Sequence, residues 1–262
     1  MQMKHGTFIA NQMRLLVSVQ NQQEAEAALT GGADIIDAKN PELGPLGAVS
    51  IPTLREIRNV AGRSCPVTAA LGDAWHDVAI EAMARAFAGA GASMVKVGFA
   101  GVTSLERAAS LLSAAVAGAA SGSDGACGVV AVAYADAAVV AGLDRHHVLE
   151  AAIRCGAEGV LLDTADKRAA GLPELLSPKD IAAWATQAHQ AGLLVAVAGK
   201  LTPDDLPMMR AAGADIAGVR SAACEGGRTG TVSAERVRVL RALCGDQQRA
   251  RLKPRTTTVV AM

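Results

Sequence analysis

Lysine and aspartate side chains recur within or just after apolar segments of this chain. Asp37 and Lys39 stand two residues apart in ADIIDAKN, Lys96 lies inside SMVKVGF, and Asp163 closes EGVLLD with Lys167 in the next loop. An ammonium group taken out of water is costly unless it is paired, so lysine in an apolar segment needs a reason. A lysine whose pKa is lowered by burial and by like charges is a nucleophile for carbonyl carbon. The pattern predicts Schiff-base chemistry by one of these lysines.

A structural interpretation competes with this one, because each Lys–Asp pair could be a buried salt bridge that only holds the fold. For a single pair the two interpretations are equally plausible. Three lysines and two carboxylates that converge on one pocket favour the catalytic interpretation.

Two glycine-containing segments late in the chain suggest a phosphate site. Ala-Gly-Lys ends at Lys200, and GVRSAACEGG follows shortly after. Backbone N–H groups in such loops bind phosphate, and a short helix N-terminus adds to them. The predicted phosphate-binding residues are Gly199, Lys200, Arg220, Ser221, Gly226 and Gly227. The alternative is that these are ordinary turn glycines.

Short apolar segments that alternate with Ala-rich amphipathic stretches must position these residues. The predicted strands are 14–19, 33–38, 66–71, 93–98, 128–134, 158–163, 193–198 and 214–219. The predicted helices are 22–30, 51–61, 76–90, 103–119, 146–155, 178–190, 203–212 and 232–243. Nearly continuous apolar strands are typical of a parallel sheet that is covered on both faces.

The regular repeat predicts a single-domain α/β protein, a (β/α)8 TIM barrel. Gly-Ala followed by a polar residue recurs where helices give way to strands, as in Gly32-Ala33-Asp34 and Gly213-Ala214-Asp215. An open Rossmann-like sheet is the alternative, but QNQQEAE follows the first strand instead of a glycine-rich turn. Active sites of barrels lie at the carboxyl ends of the strands. Asp34 and Asp215, at strand starts, are therefore predicted to be structural.

The amino-acid composition limits the kinds of molecule that this protein is expected to bind. Lys plus Arg and Asp plus Glu number 25 each, which leaves no net field to attract nucleic acid or an anionic membrane. Five widely spaced cysteines without a C-x-x-C pair indicate reduced thiols in a cytoplasm. We expect a small phosphorylated aldehyde as the partner, no cofactor, no metal and no membrane; a homo-oligomer is compatible with the sequence, which does not fix the oligomeric state. The domain prediction is an N-terminal extension at 1–12, a catalytic barrel at 13–245 and a flexible tail at 246–262.

Other polar residues are weaker candidates. The histidines show no metal-binding spacing and are assigned to the extension or to helix surfaces: His5, His76, His146, His147 and His189. Tyr134 and Asp136 end the fifth predicted strand and could orient a substrate. Cys224 lies in the glycine-rich segment without an activating histidine, so it is interpreted as a packing residue.

Several strings together resemble one known family. They are LLVSV, GGADIIDAKNPELGPLGA, KVGFAG, YADA, LLDTADK, AGK and GVRSAACEGG, which span residues 13 to about 244. In this order they resemble the (5-formylfuran-3-yl)methyl phosphate synthases, also called 4-(hydroxymethyl)-2-furancarboxaldehyde-phosphate synthases. DAKNP followed by G-x-L-G-A is the most specific element. The chain departs from the family at Lys200, where a smaller residue is usual, and in a shorter loop after Gly227.

The resemblance implies an enzyme that joins two molecules of glyceraldehyde 3-phosphate, with loss of water and phosphate, in methanofuran-type cofactor biosynthesis. It implies that Lys39 forms the Schiff base and that Lys96 accepts a proton. Asp37, Asp163 and Lys167 would complete the site. Two alternatives stay open: another class I aldolase of phosphorylated sugars, and a non-catalytic barrel that binds a phosphorylated metabolite.

Overall fold

The apolar segments form eight parallel strands in the computed structural model, which describes residues 12–245. The strands are β1 (Arg14–Val19), β2 (Ile35–Ala38), β3 (Val67–Asp73), β4 (Met94–Gly98), β5 (Gly128–Tyr134), β6 (Gly159–Asp163), β7 (Leu194–Val197) and β8 (Ile216–Val219). Each strand pairs with its neighbour in sequence, and β8 pairs with β1, where Leu16 lies opposite Gly218. The predicted closed barrel is confirmed, and the open sheet is wrong.

Helices connect the strands and cover the outside of the barrel. They are α1 (Gln22–Thr30), α2 (Ile51–Ala61), α3 (Asp77–Gly89), α4 (Leu105–Ser123), α5 (Arg145–Cys155), α6 (Leu172–Leu175), α7 (Pro178–Gln190), α8 (Leu206–Ala211) and α9 (Ala234–Cys244). Side-chain caps set several starts: Asn21, Ser50 and Ser177 each accept a hydrogen bond from a backbone N–H of the first turn. These caps fix where the chain leaves each strand-to-helix loop.

The helix-to-strand joints have the chemistry expected from their sequence. Gly32 and Gly213 both have φ +89, a conformation that side chains other than glycine rarely adopt. The following aspartates then bind backbone at strand starts: Asp34 Oδ2 accepts from Leu15 N at 2.8 Å, and Asp215 Oδ2 accepts from Val195 N at 2.8 Å. These contacts fit the structural role predicted for both aspartates.

Apolar side chains fill the barrel interior below the carboxyl ends of the strands. Leu16, Ile35 and Ile216 form one buried cluster, and a second cluster includes Val130 and Leu161. A larger apolar layer joins the outer face of the sheet to the helices. The interior clusters make a dry floor, so polar residues at strand ends lie above an apolar base.

A short helix and a hairpin were absent from the sequence prediction. The short helix α6 follows β6, and a two-stranded antiparallel hairpin follows β8, formed by β9 (Cys224–Glu225) and β10 (Thr231–Val232). Both lie at the carboxyl end of the barrel. Among the described residues, no helix is long and apolar enough to cross a membrane. Residues 1–11 and 246–262 lie outside the described part, so most of the predicted extension and the whole predicted tail fall there.

Candidate active site

Lys39 lies just beyond β2, at the carboxyl end of the barrel. Its backbone N–H donates to Val19 O at 2.9 Å, which fixes the residue against the end of β1. The residue is only 8 % exposed, and its amine makes no hydrogen bond or ion pair within residues 12–245. Burial lowers the pKa of Lys39 to about 8; Asp37 and Asp163 oppose this effect, and Lys96 reinforces it. A substantial minority of the amine is thus neutral in the physiological range, far more than for an ordinary lysine.

Asp37 does not pair with Lys39, its neighbour in sequence, but with Lys96 of β4. Lys96 Nζ lies 2.5 Å from Asp37 Oδ1. Thr68 donates to the same oxygen at 2.7 Å, and Ser18 donates to Oδ2 at 2.9 Å. Burial alone would raise the pKa of this carboxyl, but Lys96 and then Lys39 outweigh it and hold the pKa below its usual value. Asp37 is therefore an ionised, firmly held carboxylate.

A second ion pair lies on β6 and the loop that follows it. Lys167 Nζ lies 2.5 Å from Asp163 Oδ1, and the same oxygen accepts the Thr164 N–H at 2.8 Å. Burial again opposes ionisation of Asp163, whereas Lys167 and Lys39 lower its pKa. Lys96 and Lys167 therefore match the interpretation as buried salt bridges, since each has a carboxylate partner. Lys39 lies between the two pairs and has none.

These residues line a cavity of about 360 Å³ at the barrel mouth, which is the usual size for a small-molecule site. Leu16, Leu161 and Ile216 line its apolar side. The structure brings all five predicted catalytic residues to this cavity: Asp37, Lys39, Lys96, Asp163 and Lys167. The arrangement consists of one amine without a carboxylate partner and two charged pairs near it, groups of the kind that can attack a carbonyl carbon and transfer protons.

The predicted phosphate loops reach the same cavity in part. Gly199, Lys200 and Ser221 line it, as does Ala222 beside them. In the described chain, the backbone N–H groups of Lys200, Ser221 and Ala222 have no acceptor. Ser221 opens a 3-10 turn at Ser221–Ala223, and residues with unpaired backbone amides from the loops after β7 and β8 therefore line the same cavity. Such a cradle suits a phosphate group.

Two side chains expected to bind phosphate have other partners. The Lys200 amine is exposed and donates to Ala169 O, and its residue has φ +58. Arg220 is buried and makes five hydrogen bonds: to Ser18 O, to Arg228 O at 2.9 Å, to Gly230 O at 2.7 Å, and to both carboxylate oxygens of Glu24. A guanidinium has five N–H donors, so direct contact between Arg220 and phosphate would require one of these bonds to break.

Gly226 and Gly227 also differ from expectation, since neither lines the cavity. They form the exposed turn of the β9–β10 hairpin, with φ +82 and +81. Arg228, the next residue, was not among the site residues predicted from the sequence, but it is half-buried and lines the cavity. Its position in the same glycine-rich segment was the available signal.

The lesser candidates do not line the cavity, and their contacts fit structural roles. Tyr134 donates to Asp73 Oδ1 at 2.9 Å, and burial raises the pKa of its hydroxyl. Asp136 accepts the N–H groups of Ala165 and Asp166 and so shapes the loop that carries Lys167. Burial raises the pKa of Cys224 to about 11, which fits a packing residue. No group of three or more potential metal ligands occurs in the described part of the chain.

Comparisons with known proteins agree with one another. A family model described as 4-HFC-P synthase matches residues 15–241. A (5-formylfuran-3-yl)methyl phosphate synthase from Methanopyrus kandleri is 41% identical over 216 residues, which are 82% of this chain and 90% of that protein. The synthase of the same name from Methanocaldococcus jannaschii is 37% identical over 235 residues, 88% of this chain and 100% of its own length.

Solved structures with the same fold are more distant in sequence. A 3-hexulose-6-phosphate synthase is 23% identical with a TM-score of 0.59, and the match covers 88% of this chain and 99% of that one. A phosphoribosyl anthranilate isomerase from Thermus thermophilus is 18% identical with a TM-score of 0.58, over 92% of this chain and 100% of that one. At these identities the likeness shows the barrel fold alone.

Proposed function

The chain belongs to the 4-HFC-P synthase family, and from this premise we propose that it condenses two molecules of glyceraldehyde 3-phosphate to (5-formylfuran-3-yl)methyl phosphate. The product would serve methanofuran-type cofactor biosynthesis, as the resemblance implies. One observation carries the proposal: Lys39 is the lysine of the cavity that has no carboxylate of its own and whose pKa falls to about 8. It is the amine best suited to attack a carbonyl carbon.

The reaction begins when neutral Lys39 adds to the aldehyde carbon of one substrate and loses water to form an imine. The imine acidifies the adjacent C–H, and the Asp37–Lys96 pair is placed to take that proton. For Lys96 to accept it, the ammonium must first pass a proton to Asp37, 2.5 Å away. The new carbon–carbon bond to the second substrate forms after this proton transfer.

Ring closure follows with loss of water and of one phosphate. The Asp163–Lys167 pair supports these steps, because Lys167 can protonate a leaving oxygen and Asp163 keeps it charged. Condensation and elimination leave the overall oxidation level of the carbon atoms unchanged, so the reaction needs no redox cofactor. The unpaired amides of Lys200, Ser221 and Ala222 hold a substrate phosphate above the apolar floor.

The test is incubation of the purified enzyme with glyceraldehyde 3-phosphate alone, followed by mass spectrometry and a phosphate assay. The proposal expects a furan aldehyde phosphate and one inorganic phosphate per product. A sugar bisphosphate without phosphate release would instead indicate a reversible class I aldolase. A bound but unchanged substrate would indicate a binding protein. The Lys39→Met variant is the matched control and should form neither product.

A further inference from the structure

The β9–β10 hairpin carries a second basic group over the barrel mouth. Arg228 lies in its turn, lines the cavity and donates through Nη2 to Gly44 O at 2.8 Å and to Pro41 O at 3.2 Å. Pro41 and Gly44 belong to the loop that follows Lys39. The contact therefore joins the loop after β8 to the loop after β2, across the mouth of the site.

The hairpin is held in place from below by Arg220. The Arg220 guanidinium donates hydrogen bonds to the carbonyl oxygens of Arg228 and Gly230. It also forms an ion pair with Glu24, and the side chains of Arg220 and Glu24 are both buried. Gly230 ends the turn, and only glycine fits at this position, because a Cβ there would lie 1.8 Å from Glu225 O. Arg228 thus projects from a tightly constrained turn.

Charge pairing leaves Arg228 available for an anion. Among the basic residues of the cavity lining, Lys96 pairs with Asp37, Lys167 with Asp163, and Arg220 with Glu24. Lys39 is the proposed nucleophile, and Lys200 is exposed and turned to a carbonyl. Arg228 uses only Nη2 in the described structure, so the N–H groups on Nε and Nη1 have no partner there. Burial and Arg220 lower its pKa, while Asp163 stabilises the charge.

We propose that Arg228 binds the phosphate of the second substrate molecule, at a site separate from the amide cradle formed by Lys200, Ser221 and Ala222. This inference deepens the proposed function and rests on it. The cradle lies on the β7–β8 side of the cavity, whereas Arg228 is tied to the loop after β2. The first substrate is anchored to Lys39 by a covalent bond and by one phosphate. The second must be oriented without a covalent bond, and guanidinium is a strong phosphate ligand for that purpose.

The experiment compares the unmodified enzyme with Arg228→Met, Arg228→Lys and Arg63→Met. Arg63 is an exposed arginine in the turn between α2 and β3, outside the cavity lining, and serves as the matched control. Calorimetric titration with inorganic phosphate counts anion sites without turnover. Borohydride trapping with glyceraldehyde 3-phosphate measures binding of the first substrate molecule to Lys39. The KM for product formation depends on the binding of both substrate molecules.

The unmodified enzyme and Arg63→Met should each bind two phosphate ions, and Arg228→Met should bind one. Loss of a charge-assisted hydrogen bond predicts a KM about 10- to 100-fold higher in Arg228→Met, with partial recovery in Arg228→Lys. Trapping on Lys39 should remain as in the unmodified enzyme, which a collapsed site would not allow.

Two phosphate ions bound to a folded Arg228→Met variant, or one bound to the unmodified enzyme, would overturn the inference. So would an unchanged KM. Failure of the proposed function has a different signature: the unmodified enzyme would form no furan product, while Arg228→Met would still lose one phosphate ion.

Discussion

The proposed nucleophile, Lys39, lies near two buried ion pairs, Asp37–Lys96 and Asp163–Lys167, and belongs to neither. Its pKa of about 8 leaves roughly a quarter of the amine neutral at pH 7.5, against about a thousandth for an ordinary lysine. Asp37 and Asp163 limit this effect, because each raises the pKa of Lys39. Lys96 and Lys167 work in the other direction.

Replacement of Lys167 should therefore raise the pKa of Lys39. Lys167→Met removes a cation that lowers this pKa and leaves Asp163, which raises it. Trace acetylation at a series of pH values, read by peptide mass spectrometry, measures the titration of Lys39 directly. Its midpoint should move above 8 in Lys167→Met and stay near 8 in Lys179→Met, a change at an exposed lysine of α7. A midpoint that moves down in Lys167→Met would contradict this electrostatic account.

The reactive amine should also make the fold less stable. Its pKa is lower in the folded chain than in the unfolded chain, so protonation at neutral pH favours unfolding. The penalty is present below pH 8 and is relieved as pH rises from about 8 toward 10.5. Lys39→Met should then increase the free energy of unfolding at pH 7 by about 1–3 kcal/mol, measured in urea. A less stable Lys39→Met protein would show that the ammonium is well compensated.

At the scale of elements, the strands were predictable and the loops at their ends were not. All eight strands begin and end within two residues of the sequence prediction, because each is a short apolar run closed by a helical repeat. The Arg220–Glu24 ion pair could not be predicted from the sequence, because the two residues are 196 positions apart. A glycine-rich turn near an arginine predicts phosphate binding equally well whether or not a buried glutamate occupies that arginine.

The loop after β7 is also set by glycine. Gly199 has φ +101, and a Cβ there would lie 2.9 Å from Thr164 Cγ2, next to Asp163. Gly199→Ala should raise KM for the phosphorylated substrate about tenfold or more and destabilise the fold by roughly 1–3 kcal/mol. Gly62→Ala is the control, because Gly62 has φ +61 with no atom within 4 Å of its Cβ. It should lose stability but keep KM; equal KM values for both variants would argue against a role for Gly199 in the site.

For the whole molecule, the barrel brings catalytic candidates from β2, β4 and β6, and loop residues that follow β7 and β8, above one apolar floor. The sequence could predict this convergence, because strand ends of a barrel meet at one face. The sequence could not predict which lysine pairs with which carboxylate. Asp37 forms its ion pair with Lys96 on β4 and not with Lys39, two residues away. That choice depends on the side-chain geometry of the closed barrel.

The assembled site should work without a metal ion. An amine can activate the carbonyl, and residues 12–245 contain no cluster of three potential metal ligands. Exhaustive dialysis against a chelator should leave the rate of product formation unchanged. Recovery of a lost rate by one added divalent cation, and by no other, would contradict this expectation.

The most direct test of the central claim is to locate the covalent intermediate. Glyceraldehyde 3-phosphate is added with borohydride, and the reduced adduct is mapped by peptide mass spectrometry. We expect a single adduct on Lys39 that disappears in Lys39→Met and persists in Lys96→Met. In Lys96→Met, exchange of the substrate α-hydrogen with solvent deuterium should be lost. An adduct on Lys96 or Lys167 in the unmodified enzyme would contradict the assignment of Lys39.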